Sequence, residues 1–214
     1  MNEPLAIATL AVLGITTYVS HRAFHNRGML DAFIFSPAHI IRNKDYHRLI
    51  TSGLIHADWP HLLFNMFSLY SFGSAIEFAF APHVFLLIYT SSILGGNLLS
   101  LYLHRHHDYR ALGASGGVCG VIFAAIFLLP GGGVMIFPVP FVLPSWLFAI
   151  LFVLVSFFGM RKQSGRIGHD AHLGGALCGL AVATMIRPGI IAQSPLLYLA
   201  VVGITGTLIL YSYK

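Results

Sequence analysis

The sequence predicts an all-α fold, a polytopic bundle of transmembrane helices, and three observations carry that prediction. Only 9% of the 214 residues are charged, against roughly 25% in a soluble domain. Hydrophobic residues make up 57% of the chain and the mean hydropathy is +0.79, so the surface is too poor in charge for water. The charges gather in short stretches, and the runs between them approach the ~20 apolar residues that one helical crossing needs. One run, residues 111–160, holds no Asp, Glu, Lys, Arg or His. In hydrocarbon these runs become helices, because open strands leave backbone groups unsatisfied.

Seven crossings follow in order. The first spans residues 4–20; it lacks a basic start and reads as a span rather than a signal peptide. A long loop of mixed polarity covers residues 22–57. The second crossing, 60–81, carries one acid, Glu77, and Pro82 marks the turn into the third, 83–103. The loop HRHHDYR comes next. The charge-free run is too long for one crossing and suits two, 113–129 and 143–158. Pro130, Gly131, Gly132, Gly133, Pro138, Pro140 and Pro144 supply the turn between them. After the loop RKQSGRIGHD, the sixth crossing is 171–186, stopped by Arg187-Pro188-Gly189, and the seventh is 195–213. Cys119 and Cys178 both fall in apolar runs and read as packing residues. The net charge of +5 sits in loops with no long basic run, which excludes nucleic acid and points to the lipid bilayer as partner.

Alternating crossings place the starts of spans two, four and six at one face. His61 and Asn65 lie in the first two turns of span two, Ser115 in the first turn of span four and His172 in that of span six. At ~1.5 Å rise per residue all four sit within roughly 10 Å of one face. Polar side chains in a membrane are costly and are functional candidates by default. Gly116, Gly120 and Ala124 follow Ser115 at intervals of four, and Gly175, Gly179 and Ala183 share a face with His172. Small residues at this spacing let helix backbones touch.

The stretch GASGG, Gly113 to Gly117, fits the nucleophile elbow of soluble hydrolases. That elbow requires a strand before the Ser and a surrounding sheet; here the Ser opens a crossing. A Ser hydroxyl needs a base to take its proton, and neutral His is the commonest one. Asn65, His61 and the Ser115 N–H are candidate donors to an oxyanion. Asp170 lies two residues from His172 and should point away, while Asp58 and Glu77 belong to span two, so the expectation is a Ser115–His172 dyad without a third member. His169, one turn earlier in the loop, is the rival base. His104 to Asp108 and the trio His56, Asp58, His61 invite a metal, yet adjacent His residues point apart; no metal or cofactor is expected. A transporter built on the polar cavity is a competing class.

These residues resemble the rhomboid family of intramembrane serine proteases. HADWPHLLFN is similar to its H-x4-H-x3-N pattern, giving His56, His61 and Asn65; GASG gives Ser115, flanked by Gly113 and Gly116; AHLGGALCG gives His172, Gly175 and Gly179. Glu77 fits the acid twelve residues after the Asn, expected to steady the first loop, and Arg48 fits a loop Arg that usually follows Trp, here His47. Cys119 stands where the family tends to carry an aromatic packed on the catalytic His. The resemblance implies a six-helix core plus one C-terminal helix: residues 1–29 as the first helix and the start of its loop, 30–187 as the catalytic core, and 188–214 as an addition. It implies Ser115 as nucleophile, His172 as base, Asn65 and His61 at the oxyanion, and His56, Glu77, Arg48 and the four glycines as structural neighbours. The implied activity is hydrolysis of a peptide bond in or near the transmembrane helix of a membrane-protein substrate, admitted sideways between spans two and five. The alternative is a catalytically silent relative that binds membrane proteins. The expected address is the inner (plasma) membrane of a bacterium, in a multi-pass protein. All Lys and Arg except Arg187 and Lys214 lie in loops after spans one, three and five. The positive-inside rule turns the active-site face to the cytoplasm, whereas the family's prokaryotic members usually open the other way.

Overall fold

A computed structural model describes residues 5–135, 141–162 and 168–212, the side chains of 156–162 and 211–212 excepted. Pro138, Pro140 and most of the loop after the fifth span lie outside the described residues. The chain runs through α1 (Ile7–Phe24), α2 (Arg27–Phe33), α3 (Pro37–Arg42), α4 (Arg48–Thr51), a 3-10 turn (Ser52–Leu54), α5 (Trp59–Phe80) and α6 (Pro82–His104). It continues through α7 (Ser115–Leu128), a hairpin of β1 (Gly133–Met135) and β2 (Val142–Pro144), α8 (Ser145–Lys162), α9 (His169–Ile186), α10 (Ile190–Gln193) and α11 (Pro195–Ser212). The seven expected crossings correspond to α1, α5, α6, α7, α8, α9 and α11, so the fold is an all-α bundle. Among the described residues α6 alone has both the length and the hydropathy of a crossing by itself, 23 residues with mean hydropathy 1.7. The other helices carry the polar residues that hold the site, or are shorter.

Local chemistry explains the helix ends. The Asp58 carboxylate accepts from His61 N–H at 2.8 Å and Pro60 occupies the first turn, so α5 starts on a side-chain cap. α5 and α6 are separated by Ala81 alone, at φ 125°, after which Pro82 restarts the helix. Pro188 ends α9, because the residue before a proline is pushed out of helical conformation.

Three expectations change. The stretch 22–57 is not an open loop: it folds as three short helices and a 3-10 turn. The breaker-rich stretch after α7 forms an antiparallel ladder with Gly133 opposite Pro144 and Met135 opposite Val142. Its alternating exposed and buried apolar residues suit a strand better than a bare turn, and the fifth crossing consequently begins at Ser145. α9 begins at His169, so this residue is helical.

α7 is the axis of the bundle. Every residue from Gly116 to Leu128 is buried, and it packs against α5, α6, α8 and α9. Its 14 residues reach only ~21 Å at 1.5 Å per residue, against about 30 Å of hydrocarbon. α7 is therefore too short to cross the hydrocarbon by itself.

The α7–α9 contact is backbone to backbone. A Cβ built on Gly175 would meet the carbonyl and Cα of Gly116, the Cα at 3.0 Å, and one on Gly179 would lie 2.5 Å from the Cα of Gly120. α9 meets α6 as closely, since a Cβ on Gly96 would fall 2.5 Å from the Ala171 oxygen. α11 packs on α8 and α9; its Tyr198 meets the Phe127 ring at 5.7 Å and the Thr184 hydroxyl at 2.9 Å.

Candidate active site

Ser115 opens α7 and His172 sits in the first turn of α9. His172 Nε2 lies 2.7 Å from Ser115 Oγ, in partly buried surroundings. With Nε2 accepting the hydroxyl proton, the neutral ring carries its own proton on Nδ1. The ring is flanked by Phe152 of α8, centroids 6.1 Å apart and tilted, and by His169 at 5.8 Å edge-on. Phe152 is in turn packed on Phe123 and Phe148. The aromatic support absent at Cys119 thus comes from another helix, which spacing around Ser115 cannot reveal.

The linker before Ser115 is tied at several points. Ala111 and Phe35 exchange both backbone hydrogen bonds, at 2.9 and 3.2 Å, and Gly113 N–H donates to Ser52 O at 2.9 Å. Ala114 N–H donates to His56 Nε2 at 3.2 Å. That fixes the tautomer: His56 Nδ1–H donates to Ser20 Oγ at 2.9 Å, and the Ser20 hydroxyl donates to Leu54 O at 2.9 Å. The relay joins α1, the 3-10 turn and the nucleophile's linker. Burial, then the neighbouring His61, lower the His56 pKa to about 3 against a smaller opposing pull from Asp58, so the ring stays neutral. Gly113 has φ 122°, and a Cβ there would lie 2.7 Å from His61 Cε1. Glycine is required on both counts.

His61 packs edge-on against His56, centroids 4.9 Å apart. The buried Asn65 amide donates to its own helix at His61 O, 3.0 Å away, and an amide has a second N–H to give. The first N–H groups of α7, beginning with Ser115, have no intrahelical acceptor. Arg48 is buried and donates to Asp45, to Asp31 O and to Ile34 O, which folds the first loop over α6. Asn97 of α6, a polar residue that its apolar run conceals in the sequence, donates to Leu49 O and Ser52 Oγ from below.

Glu77 requires a correction. It does not steady the first loop. Twelve residues of helix, ~18 Å, put it at the opposite end of α5 from Asn65. There Oε1 accepts from Ala8 N–H at 2.9 Å, and Oε2 accepts from Thr9 N–H and Oγ1 at 2.8 Å each. The carboxylate caps the start of α1, where a negative charge is favoured. Among the described residues no group of three or more His, Cys, Asp or Glu is placed to hold a metal ion.

A groove of about 360 Å³ opens between α5, the C-terminal half of α7 and the hairpin, lined by Phe64, Phe67, Ser68, Ile126, Met135 and Ser145 among others.

A buried helix opening on a Ser–His hydrogen bond inside an all-α bundle defines a class of intramembrane protein with a hydrolase-like site. The rhomboid domain family model matches residues 43–189, and the chain belongs to the rhomboid family. It is accordingly a membrane-integral protein, in a family that includes intramembrane serine proteases as well as inactive members. The chain is similar to RHOMBOID-like protein 12, mitochondrial, of Arabidopsis thaliana, 30% identical over 88% of this chain and 60% of that one. It is similar to Rhomboid protein 1, mitochondrial, of Saccharomyces cerevisiae, 27% identical over 74% of this chain and 48% of the relative. It is also similar to Rhomboid protease GluP of Bacillus subtilis, 26% identical over 75% and 30%. The chain covers less than two thirds of the length of each of these relatives.

Proposed function

We propose that the protein is an intramembrane serine endopeptidase that cleaves membrane-protein substrates through a Ser115–His172 dyad. The observation that carries the reading is the 2.7 Å contact between His172 Nε2 and Ser115 Oγ at the partly buried start of α7. His172 accepts the hydroxyl proton as Ser115 attacks the scissile carbonyl; the tetrahedral oxyanion takes hydrogen bonds from the Ser115 N–H and the free Asn65 N–H, with His61 beside them. The protonated imidazole then gives its proton to the leaving amine, and water, deprotonated by the same ring, releases the acyl group. Residues 30–187 carry this chemistry, and 188–214 add a helix behind α8. The apolar groove beside α5 supports sideways docking of a substrate helix between α5 and α8. For the address, the relatives named as mitochondrial argue against the expected bacterial plasma membrane; fractionation of the source cells separates the two.

The test is cleavage in proteoliposomes. Purified protein is co-reconstituted with a tagged single-span substrate carrying small residues at the start of its helix, beside Ser115→Ala and His172→Ala. A specific product from wild type alone is expected. Products from all three overturn the dyad, and no product together with no fluorophosphonate labelling of Ser115 returns the protein to the binding-only members of its family.

A further inference from the structure

We infer that the hydrogen bond between Tyr109 and Asp170 is a positioning device that sets the Ser115–His172 distance. The inference rests on the dyad proposed above. Tyr109 stands six residues before the nucleophile, on the linker that delivers it, and Asp170 two residues before the base, on the first turn of α9. The Tyr109 hydroxyl donates to Asp170 Oδ1 at 3.1 Å. The bond therefore joins the two segments that bring the reacting side chains together.

The pair is braced. Asp170 is 4% exposed, although it carries a charge at a membrane face. His104, the last residue of α6, places Nε2 3.4 Å from Asp170 Oδ2 and stacks its ring on Tyr109 at 3.8 Å, 5° from parallel. Burial, the Asp170 charge and the hydrogen bond to it all raise the Tyr109 pKa, so the phenol remains a donor. The linker also packs on the start of α9: a Cβ on Gly168 would lie 3.3 Å from the Tyr109 hydroxyl and 3.9 Å from the Ala111 Cβ. The Asp170 carboxylate bonds Tyr109 and neighbours α6 rather than touching the nucleophile; its charge also acts directly on the His172 ring two residues on, so Tyr109→Phe, which leaves that charge in place, is the variant that isolates positioning. A buried carboxylate is costly unless paired, and structural stability alone would be served as well by apolar side chains there. What the hydrogen bond adds is a fixed register between linker and helix.

The test uses Tyr109→Phe, which keeps the ring stack on His104 and removes only the donor, together with Asp170→Asn and the double variant, all in the full chain. Fluorophosphonate labelling of Ser115 and cleavage in proteoliposomes are measured beside thermal stability in detergent. Tyr109→Phe is expected to lower kcat and the labelling rate constant by about tenfold with KM unchanged, as for a small misplacement of reacting groups. The double variant should lose no more than the worse single variant. A purely structural role would lower the labelled fraction or the melting temperature and leave the rate constant per labelled site intact; that result overturns the inference. If Asp170→Asn fails to fold, Tyr109→Phe alone decides. Wild type that neither labels nor cleaves, or cleavage surviving Ser115→Ala, refutes the dyad itself, and the inference falls with it.

Discussion

Replacing Gly175 by Ala tests whether the glycine seam holds the reacting pair together. The new Cβ would meet the Gly116 carbonyl and lie 3.0 Å from its Cα. The carbonyl carbon would be nearer still, at 2.7 Å; carbon atoms rest at about 3.5–4.0 Å, so α9 must back away from α7 by about 1 Å at this turn. Backbone cannot rotate aside as a side chain can. Gly175 is one turn from His172 on the same helix face, so the displacement reaches the imidazole. The 2.7 Å contact to Ser115 then opens past the ~3.2 Å limit of a good hydrogen bond. A misplacement of about 1 Å at a reacting centre costs on the order of 100-fold, and the overpacking itself costs about 1–3 kcal/mol. The assay is the rate of fluorophosphonate labelling of Ser115 and of cleavage in proteoliposomes. Gly203→Ala on α11 is the control, since a Cβ there meets nothing within 4 Å. A folded Gly175→Ala protein reacting at the wild-type rate would refute the reasoning.

Three further outcomes are expected. Glu77→Gln should destabilise the protein by roughly 1.5–3 kcal/mol, since a charged cap on α1 is lost, while labelling of Ser115 at the other end of the bundle is unchanged; a slower rate at unchanged stability would contradict the cap. Ala81→Gly should stabilise by about 1 kcal/mol, because it relieves a positive φ that only glycine adopts freely; denaturation in detergent reads this, and a loss of stability would show the residue is unstrained. His56 binds a proton in the unfolded chain below its ordinary value of 6.5 and resists doing so when folded until about 3. Its contribution is full above 6.5 and is lost as pH falls through that window, at about 1.4 kcal/mol per pH unit. The stability gap between wild type and His56→Gln should narrow accordingly from pH 7 to pH 5, and a constant gap would mean that His56 is not held neutral.

The bundle was legible because charge and hydropathy alternate on the length scale of a membrane, and that scale is set by solvent rather than by partners. Ser115, His172, His61 and Asn65 stood out for the related reason that polar groups at matched depth in apolar runs are costly. What could not be read are features whose cause lies far along the chain. Glu77 has a helix start to cap only because α1 begins beside it, 68 residues away for Thr9. Phe152 reaches His172 only through the packing of α8. The helices α2–α4 are too short to show a period and are held by the backbone carbonyls that Arg48 gathers. Tyr109 and Asp170 are 61 residues apart, and neither looks unusual alone.

The ties on the Ser115 linker have an order in time. Phe35, Ser52 and His56 are all made by the ribosome before the segment they hold, whereas the imidazole lies 57 residues after the hydroxyl. At about 5–20 residues per second, roughly 3–11 s separate the two during synthesis. Throughout that interval the partners of the serine's linker exist but neither His172 nor the Asp170 brace does. On the proposed dyad, a nascent chain surrounded by other newly made spans cannot cleave them until its sixth crossing arrives. The proposed dyad predicts that a translation product stopping before residue 169 does not label with fluorophosphonate, however well its first five helices have assembled.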